Sequence, residues 1–361
     1  MGILTPENAT LAESARKMIG GAPRRVVLLI GTGVSSGMTK KNELCSWPGL
    51  VRALVQELPD NCKERRVVEL IDAADGFGLK DVPTSVVLGC AHMVRDKLCK
   101  LDKWDKVIDD ISAKIFKSLC PDEPWSRFFR AMGDQIARNP NVPLQMPLIM
   151  TTNYDRLLEH CLDGFTLTNP DRELSRADGS PPKFKLDYLG AGIRETPRLL
   201  GKIVEGRTLW TLHQRGRLEN KHAFVHYIHG SAHLPSTVVF DPADYERVIV
   251  EDIWKDLASL WAGDGQNTVV VIAGVGPGLF DRHFRLVWQE LTGKGPFSEG
   301  KNQRFFWLRA SGDDLKESIA LLDENRDVFP EGAISLVDQE GHDWYPHWIN
   351  QLFDENTRLL F

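Results

Sequence analysis

Apolar residues along this chain gather into short unbroken runs, each followed by a turn of small or polar residues and then by a helical pattern. The first run is Val26-Val27-Leu28-Leu29-Ile30, which empties into Gly31-Thr32-Gly33-Val34-Ser35. Beyond it Leu50, Val51, Leu54, Val55 and Leu58 share one face of a helix predicted from about Trp47. The second unit is Pro147-Leu148-Ile149-Met150, a turn from Thr151 to Asp155, and a helix presenting Leu157, Leu158, Cys161 and Leu162. The third is Thr268 to Ala273, the turn Gly274-Val275-Gly276-Pro277-Gly278, and a helix carrying Phe280, Phe284, Val287, Trp288 and Leu291. Arg304 to Leu308 and Ala333 to Val337 read as two further strands. Unbroken apolar strands are covered on both faces, and their alternation with helices predicts an α/β fold with a doubly wound parallel sheet. Ligands of such sheets sit beyond the carboxyl ends of the strands, where all three turns fall, so the turns are expected to converge on one crevice.

Residues 1–24 form an N-terminal segment and residues 25–361 the sheet domain. Two stretches interrupt the strand–helix alternation. Between about 60 and 140 the pattern is helical, with Trp104, Ile108, Ile111 and Ile115 on one buried stripe; this predicts a helical module inserted over the sheet edge. Between about 165 and 200, Pro, Gly and charged residues are concentrated, which predicts a long loop excursion.

Composition narrows the class of protein. A net charge of -6 and a pI near 6.0 argue against nucleic acid as the main partner. Six cysteines without a C-x-x-C pair read as reduced thiols of an intracellular protein. The start of the chain lacks the basic and apolar regions of a secretory signal, and no apolar run reaches membrane-spanning length. A cytoplasmic or nuclear protein with no membrane partner is expected.

Candidate chemistry concentrates at strand ends. Glycines in Gly31-Thr32-Gly33 let backbone amides approach a phosphate, though a plain tight turn has the same composition. The third glycine, Gly37, comes one residue late for the dinucleotide fingerprint, and no ribose-binding acid follows about 20 residues on. Asn153 can both donate to and accept from ribose hydroxyls or a water. Asp155 is placed either to cap the next helix or to meet a ligand. His229 ends the alternating run Phe224 to Ile228 and is followed by Gly230; an imidazole ordinarily titrates near neutrality and suits a general base. His226 within the run and His233 beyond the turn are the nearby competitors. His222, His226, His229 and His233 would make a metal-ligand face on a helix, but the Val/Tyr/Ile content predicts a strand, so no metal is expected.

Taken in order, Gly31-Thr32-Gly33-Val34-Ser35, Thr151-Thr152-Asn153-Tyr154-Asp155, Ile228-His229-Gly230 and Gly274-Val275-Gly276 resemble the SIR2-like family, from about Val26 to Val337. The resemblance implies a Rossmann-like sheet that holds NAD, with Asn153 and His229 as catalytic residues. The nucleotide contacts it implies are Gly31, Thr32, Gly33, Val34, Ser35, Thr152, Asp155, Gly230, Gly274, Val275, Gly276 and Asp281. The paired zinc cysteines of sirtuin deacylases are missing, and so is the Pro-Asp-Phe-Arg segment, whose region holds Ser46-Trp47-Pro48-Gly49-Leu50. Gly276-Pro277-Gly278 replaces the usual Ser with an aromatic. The chain is more similar to the SIR2-like NAD hydrolases of antiphage immune defence and to the animal "family with sequence similarity" SIR2-like proteins. That likeness implies cleavage of NAD, as substrate, to nicotinamide and ADP-ribose or a cyclic form. It also implies assembly into a homo-oligomer or filament and leaves room for a protein partner. The alternative is a scaffold that binds NAD or ADP-ribose and assembles without cleaving it. Deacylation and hydride transfer rank lower, for want of the zinc ribbon and of the dinucleotide fingerprint.

Overall fold

Strand formation follows the apolar runs. The computed structural model of the protein describes residues 4–18, 25–40, 42–76, 84–138, 148–155, 157–163, 165–166, 175–176, 185–188, 224–230, 232, 235, 238–240, 242–250, 268–294, 305–326, 334–353, 359 and 361. Its strands are β1 (Arg25–Ile30), β2 (Leu148–Thr151), β3 (Phe165–Thr166), β4 (Ser175–Arg176), β5 (Lys185–Tyr188), β6 (Phe224–Tyr227), β7 (Thr268–Ala273), β8 (Phe305–Ala310) and β9 (Ile334–Gln339). Seven of them form one sheet in the order β5-β6-β2-β1-β7-β8-β9, and every pairing in it is parallel. β3 and β4 make a separate antiparallel pair.

With the edge strand β5 set aside, the order is that of a Rossmann sheet, reversing direction between β1 and β7. The central strand β1 pairs Leu28 with Ile149 of β2 on one side and with Val271 of β7 on the other. Val26 to Ile30 are all buried, so no polar position interrupts the run.

The described helices are α1 (Pro6–Met18), α2 (Thr32–Met38), α3 (Trp47–Gln56), α4 (Val67–Gly76), α5 (Thr84–Lys100), α6 (Trp104–Lys117), α7 (Pro124–Arg138), α8 (Leu157–Asp163), α9 (Pro242–Val250), α10 (Arg282–Lys294), α11 (Asp313–Glu324) and α12 (Tyr345–Asn350). α1 docks on the last strand and helix. Asn8 donates its side-chain amide to Asp338 O at 2.9 Å, Trp348 Nε1 donates to Asn8 O at 3.0 Å, and Ala12 and Ala15 are fully buried.

Three expectations change. A helix, α2, starts immediately after Gly31, well before the helix at Trp47. Its Thr-Gly-Val-Ser-Ser-Gly-Met sequence has little helical propensity, and packing of Val34, Ser35 and Met38 into the core overrides that. The helical module is present as α4 to α7, with Trp104, Ile108, Ile111 and Ile115 forming the buried stripe of α6. This stripe lies over the carboxyl ends of the strands rather than over the sheet edge, because its isoleucines line the cavity there. The stretch predicted as a loop excursion contains β3, β4 and the edge strand β5; residues 167–174, 177–184 and 189–200 lie outside the described residues.

Candidate functional site

Two glycine turns meet at the point where the sheet reverses. The Gly31 N–H donates to Ala273 O and the Gly33 N–H to Gly274 O, each at 2.9 Å. A Cβ on Gly33 would lie 2.8 Å from Gly274 Cα, and one on Gly31 would collide with the Gly274 carbonyl. Gly274 itself has a φ of 66°, the left-handed region that favours glycine. The glycines therefore serve a seam between backbones. In this arrangement the Gly31 and Gly33 amides, expected to cradle a phosphate, are engaged by backbone carbonyls. Val34 and Ser35 are buried beneath the turn.

Ser35 joins the first turn to the second. Asn153 Nδ2 donates to Ser35 Oγ at 2.7 Å and to Gly31 O at 3.0 Å, while Ser35 Oγ donates to Asp155 Oδ2 at 2.7 Å. Asp155 Oδ1 accepts from the Leu157 N–H at 3.1 Å and so caps α8. Of its two readings from sequence, helix capping is thus the one this geometry describes. Burial nevertheless raises the Asp155 pKa, with the bonds from Ser35 and Leu157 acting against it. Asn153 is 3% exposed, and its buried Oδ1 has no hydrogen-bond partner among the described residues. Buried acceptors are normally satisfied, so an acceptor left open here at the cavity is a place for a ligand's donor.

The third element is the turn after β6. His229 lies two residues beyond the strand, and Gly230, at φ 76°, reverses the chain. The Val239 N–H holds the His229 carbonyl at 2.8 Å, and the Ala232 N–H donates to Tyr154 O at 3.0 Å, which ties this turn to the loop after β2. The imidazole packs edge-on against Tyr245 at 5.5 Å and lies 6.2 Å from Phe284. Burial lowers its pKa to about 3, so the ring is neutral at physiological pH. That removes the ordinary near-neutral titration for which an imidazole was expected to act as base.

A carboxyl group in the same place titrates there instead. Desolvation raises the pKa of Asp281 to about 7, opposed by the hydrogen bond from Tyr245. The same surroundings push the hydroxyls of Tyr245 and Tyr154 up, with burial the larger cause in both. Tyr154 donates to Val239 O at 2.9 Å. Burial pushes the Cys45 thiol, also at the cavity, up to about 12, which leaves it unreactive.

These groups share one cavity of about 350 Å³, within the range of small-molecule pockets. Of the residues expected at the site, Gly31, Thr32, Thr152, Asn153, Asp155, His229, Gly274, Val275, Gly276 and Asp281 line it; Gly33, Val34, Ser35 and Gly230 do not. The Val275 carbonyl accepts from Trp307 Nε1 at 3.0 Å and from Arg309 Nη1 at 3.3 Å, fixing the third turn from below. Sequence reasoning missed Trp47, Tyr154 and Tyr245 as lining residues, and it gave the isoleucine stripe of α6 no part in the site. Trp47 stacks on Phe240 at 4.9 Å and meets Tyr154 edge-on. Nothing local marks Tyr245; only the docking of α9 brings it in.

Sheet order and cavity together define a Rossmann-type α/β protein with its ligand pocket at the topological switch point. A SIR2-like domain profile matches residues 147–330, just over half of the chain, and the chain belongs to the SIR2-like family. SIR2-like domains bind NAD, and the family includes NAD-dependent enzymes. Among the described residues no group of three or more His, Cys, Asp or Glu side chains is placed to hold a metal. No described helix is long and apolar enough to cross a membrane.

Proposed function

We propose that the protein is an NAD glycohydrolase that cleaves NAD to nicotinamide and ADP-ribose or its cyclic form. The observation that carries this reading is the unpartnered Asn153 Oδ1 in one cavity with the neutral His229 ring. Asn153 Oδ1 accepts a hydrogen bond from a ribose hydroxyl or from the attacking water, and the bonds to Gly31 and Ser35 hold the carboxamide for it. His229, uncharged, accepts a second hydrogen bond and orients the nucleophile. Breaking the bond from ribose C1 to the pyridinium nitrogen builds positive charge at C1, and oriented oxygen dipoles stabilise that charge. Thr32, Thr152 and the 274–276 turn are left to hold the rest of the dinucleotide.

The apolar wall of α6 favours hydrolysis over deacylation, since it occupies the space above the strand ends with Ile108, Ile111 and Ile115. Assembly into a homo-oligomer or filament, with or without a protein partner, belongs to the same proposal and rests on family likeness.

Incubation with NAD at several protein concentrations, followed by product chromatography, tests the reading. Nicotinamide release is expected from the wild type, with a loss of about 100-fold or more in His229→Ala and Asn153→Ala that leaves the circular dichroism spectrum unchanged. Undiminished release from both variants would contradict the roles of Asn153 and His229. NAD binding by calorimetry, with no nicotinamide liberated by the assembled protein, would make it a nucleotide-binding scaffold instead.

A further inference from the structure

The cleavage reading leaves one lining group without a task. Asp281 stands just before α10, and its carboxyl accepts from the Tyr245 hydroxyl of α9. Tyr245 in turn packs its ring against His229. The carboxyl is thereby tied, through one tyrosine, to the corner of the cavity that holds the imidazole. It lines the cavity beside open space at the turn: a Cβ on Gly276 would meet nothing within 4 Å, and one on Gly278 would lie 3.5 Å from Asp281 Oδ2.

The charges around it favour a cation. Among the described residues lining the cavity there is no lysine or arginine. Asp155, the other acid, has both oxygens committed to Ser35 and Leu157. Among the described residues, the titratable groups that interact with Asp281 are Tyr245 from α9 and Tyr154 from the loop after β2, both neutral at physiological pH, and His229, also neutral, lines the same cavity. Arg95 of α5 acts on Tyr154 from further out and is paired with Asp244; Arg285 follows one turn along α10.

We propose that Asp281, held by the positioning residue Tyr245, is the carboxylate that recognises the positive charge of an N-ribosyl pyridinium and accepts the proton of the water that displaces it. The assignment rests on the cleavage reading for its proton-accepting half. In that step the water oxygen bonds to ribose C1, and the bond from C1 to nitrogen breaks with its electron pair going to the ring. Neutral nicotinamide leaves, and one water proton passes to the Asp281 carboxylate. A group that changes charge near neutrality suits both halves of this task, whereas an imidazole held neutral by burial suits only hydrogen bonding.

Two measurements on the full chain separate this proposal from the one beneath it. Calorimetry compares 1-methylnicotinamide, a permanent pyridinium cation, with neutral nicotinamide at about pH 6 and about pH 8.5. Nicotinamide release from NAD is followed across the same range for the wild type, Asp281→Asn and Tyr245→Phe. The wild type is expected to bind the cation about tenfold more tightly at the higher pH, with nicotinamide affinity unchanged, and Asp281→Asn to abolish that gain. The release rate should rise with pH through a limb near 7; Asp281→Asn removes the limb, and Tyr245→Phe moves it to higher pH by deleting the bond that favours the ionised carboxyl. Should Asp281→Asn fail to fold, the displacement in Tyr245→Phe decides. Release and cation affinity that ignore both variants overturn the assignment and leave the glycohydrolase standing. Cation preference without any nicotinamide release overturns the glycohydrolase and the proton transfer, and keeps the charge recognition.

Discussion

Asp155 and Asp281 line the same cavity from opposite sides of the sheet's reversal point, and the protein treats them differently. Asp155 follows β2 and is built into the frame: one oxygen caps α8, and the other closes the chain from Asn153 through Ser35. Asp281 follows β7 and receives Tyr245 from a helix remote in sequence, with burial pushing its carboxyl to about 7. Both are aspartates at the strand-to-helix junctions of a parallel sheet. The difference shows that position in the fold selects a carboxyl, while the partners brought by tertiary packing decide whether it serves architecture or remains free to change charge.

The strongest break in this comparison is Asp155→Ala. It removes the cap and takes the acceptor away from the Ser35 hydroxyl proton and the Leu157 amide, and it is expected to cost about 3 kcal/mol in urea unfolding. A cost below about 0.5 kcal/mol would deny Asp155 its structural role.

Asp281→Asn should act in the opposite direction. The folded carboxyl holds its proton up to about 7, whereas its ordinary value is 3.8, so the wild type loses stability as pH climbs between them. Asparagine does not titrate, and the variant should therefore gain about 2 kcal/mol over the wild type between about pH 4 and about pH 8. Parallel stability curves for the two proteins across that range would remove the contrast with Asp155.

His229 sharpens the comparison from the acid side. Its folded pKa of about 3 lies below the ordinary 6.5, so an unfolded chain takes up the proton first and stability falls as pH drops through that window. His229→Gln should flatten this limb by about 1–2 kcal/mol, read as thermal midpoints at successive pH values. The smallest change is expected from Tyr245→Phe at about pH 5, where Asp281 is protonated: about 1 kcal/mol or less for one hydrogen bond.

Much of the fold was legible because strands of a doubly covered sheet are unbroken apolar runs and the helices show their buried stripe. Val26 to Ile30, Thr268 to Ala273 and the stripe at Trp104, Ile108, Ile111 and Ile115 all carry that signal locally. Asn153 and His229 were legible as polar residues directly after such runs. The short α2 was not, since seven residues rich in glycine and serine become helical only through what they pack against. The glycine turn was visible but its reason was not: the partner of Gly31 and Gly33 is Gly274, and a contact between distant turns leaves no periodicity in either. Tyr245 and the α6 wall were hidden for the same reason, because a helical pattern does not say which element it will cover.

Short-range chemistry thus settled the long apolar strands and the helices with a buried stripe, and that three turns follow strands of one sheet at its carboxyl end. Whether a given group at that end is charged was decided only in three dimensions. Loss of water around Asp281 and His229 depends on side chains from α9, α10 and the loop after β2, and desolvation acts through enclosure, which no stretch of sequence possesses alone.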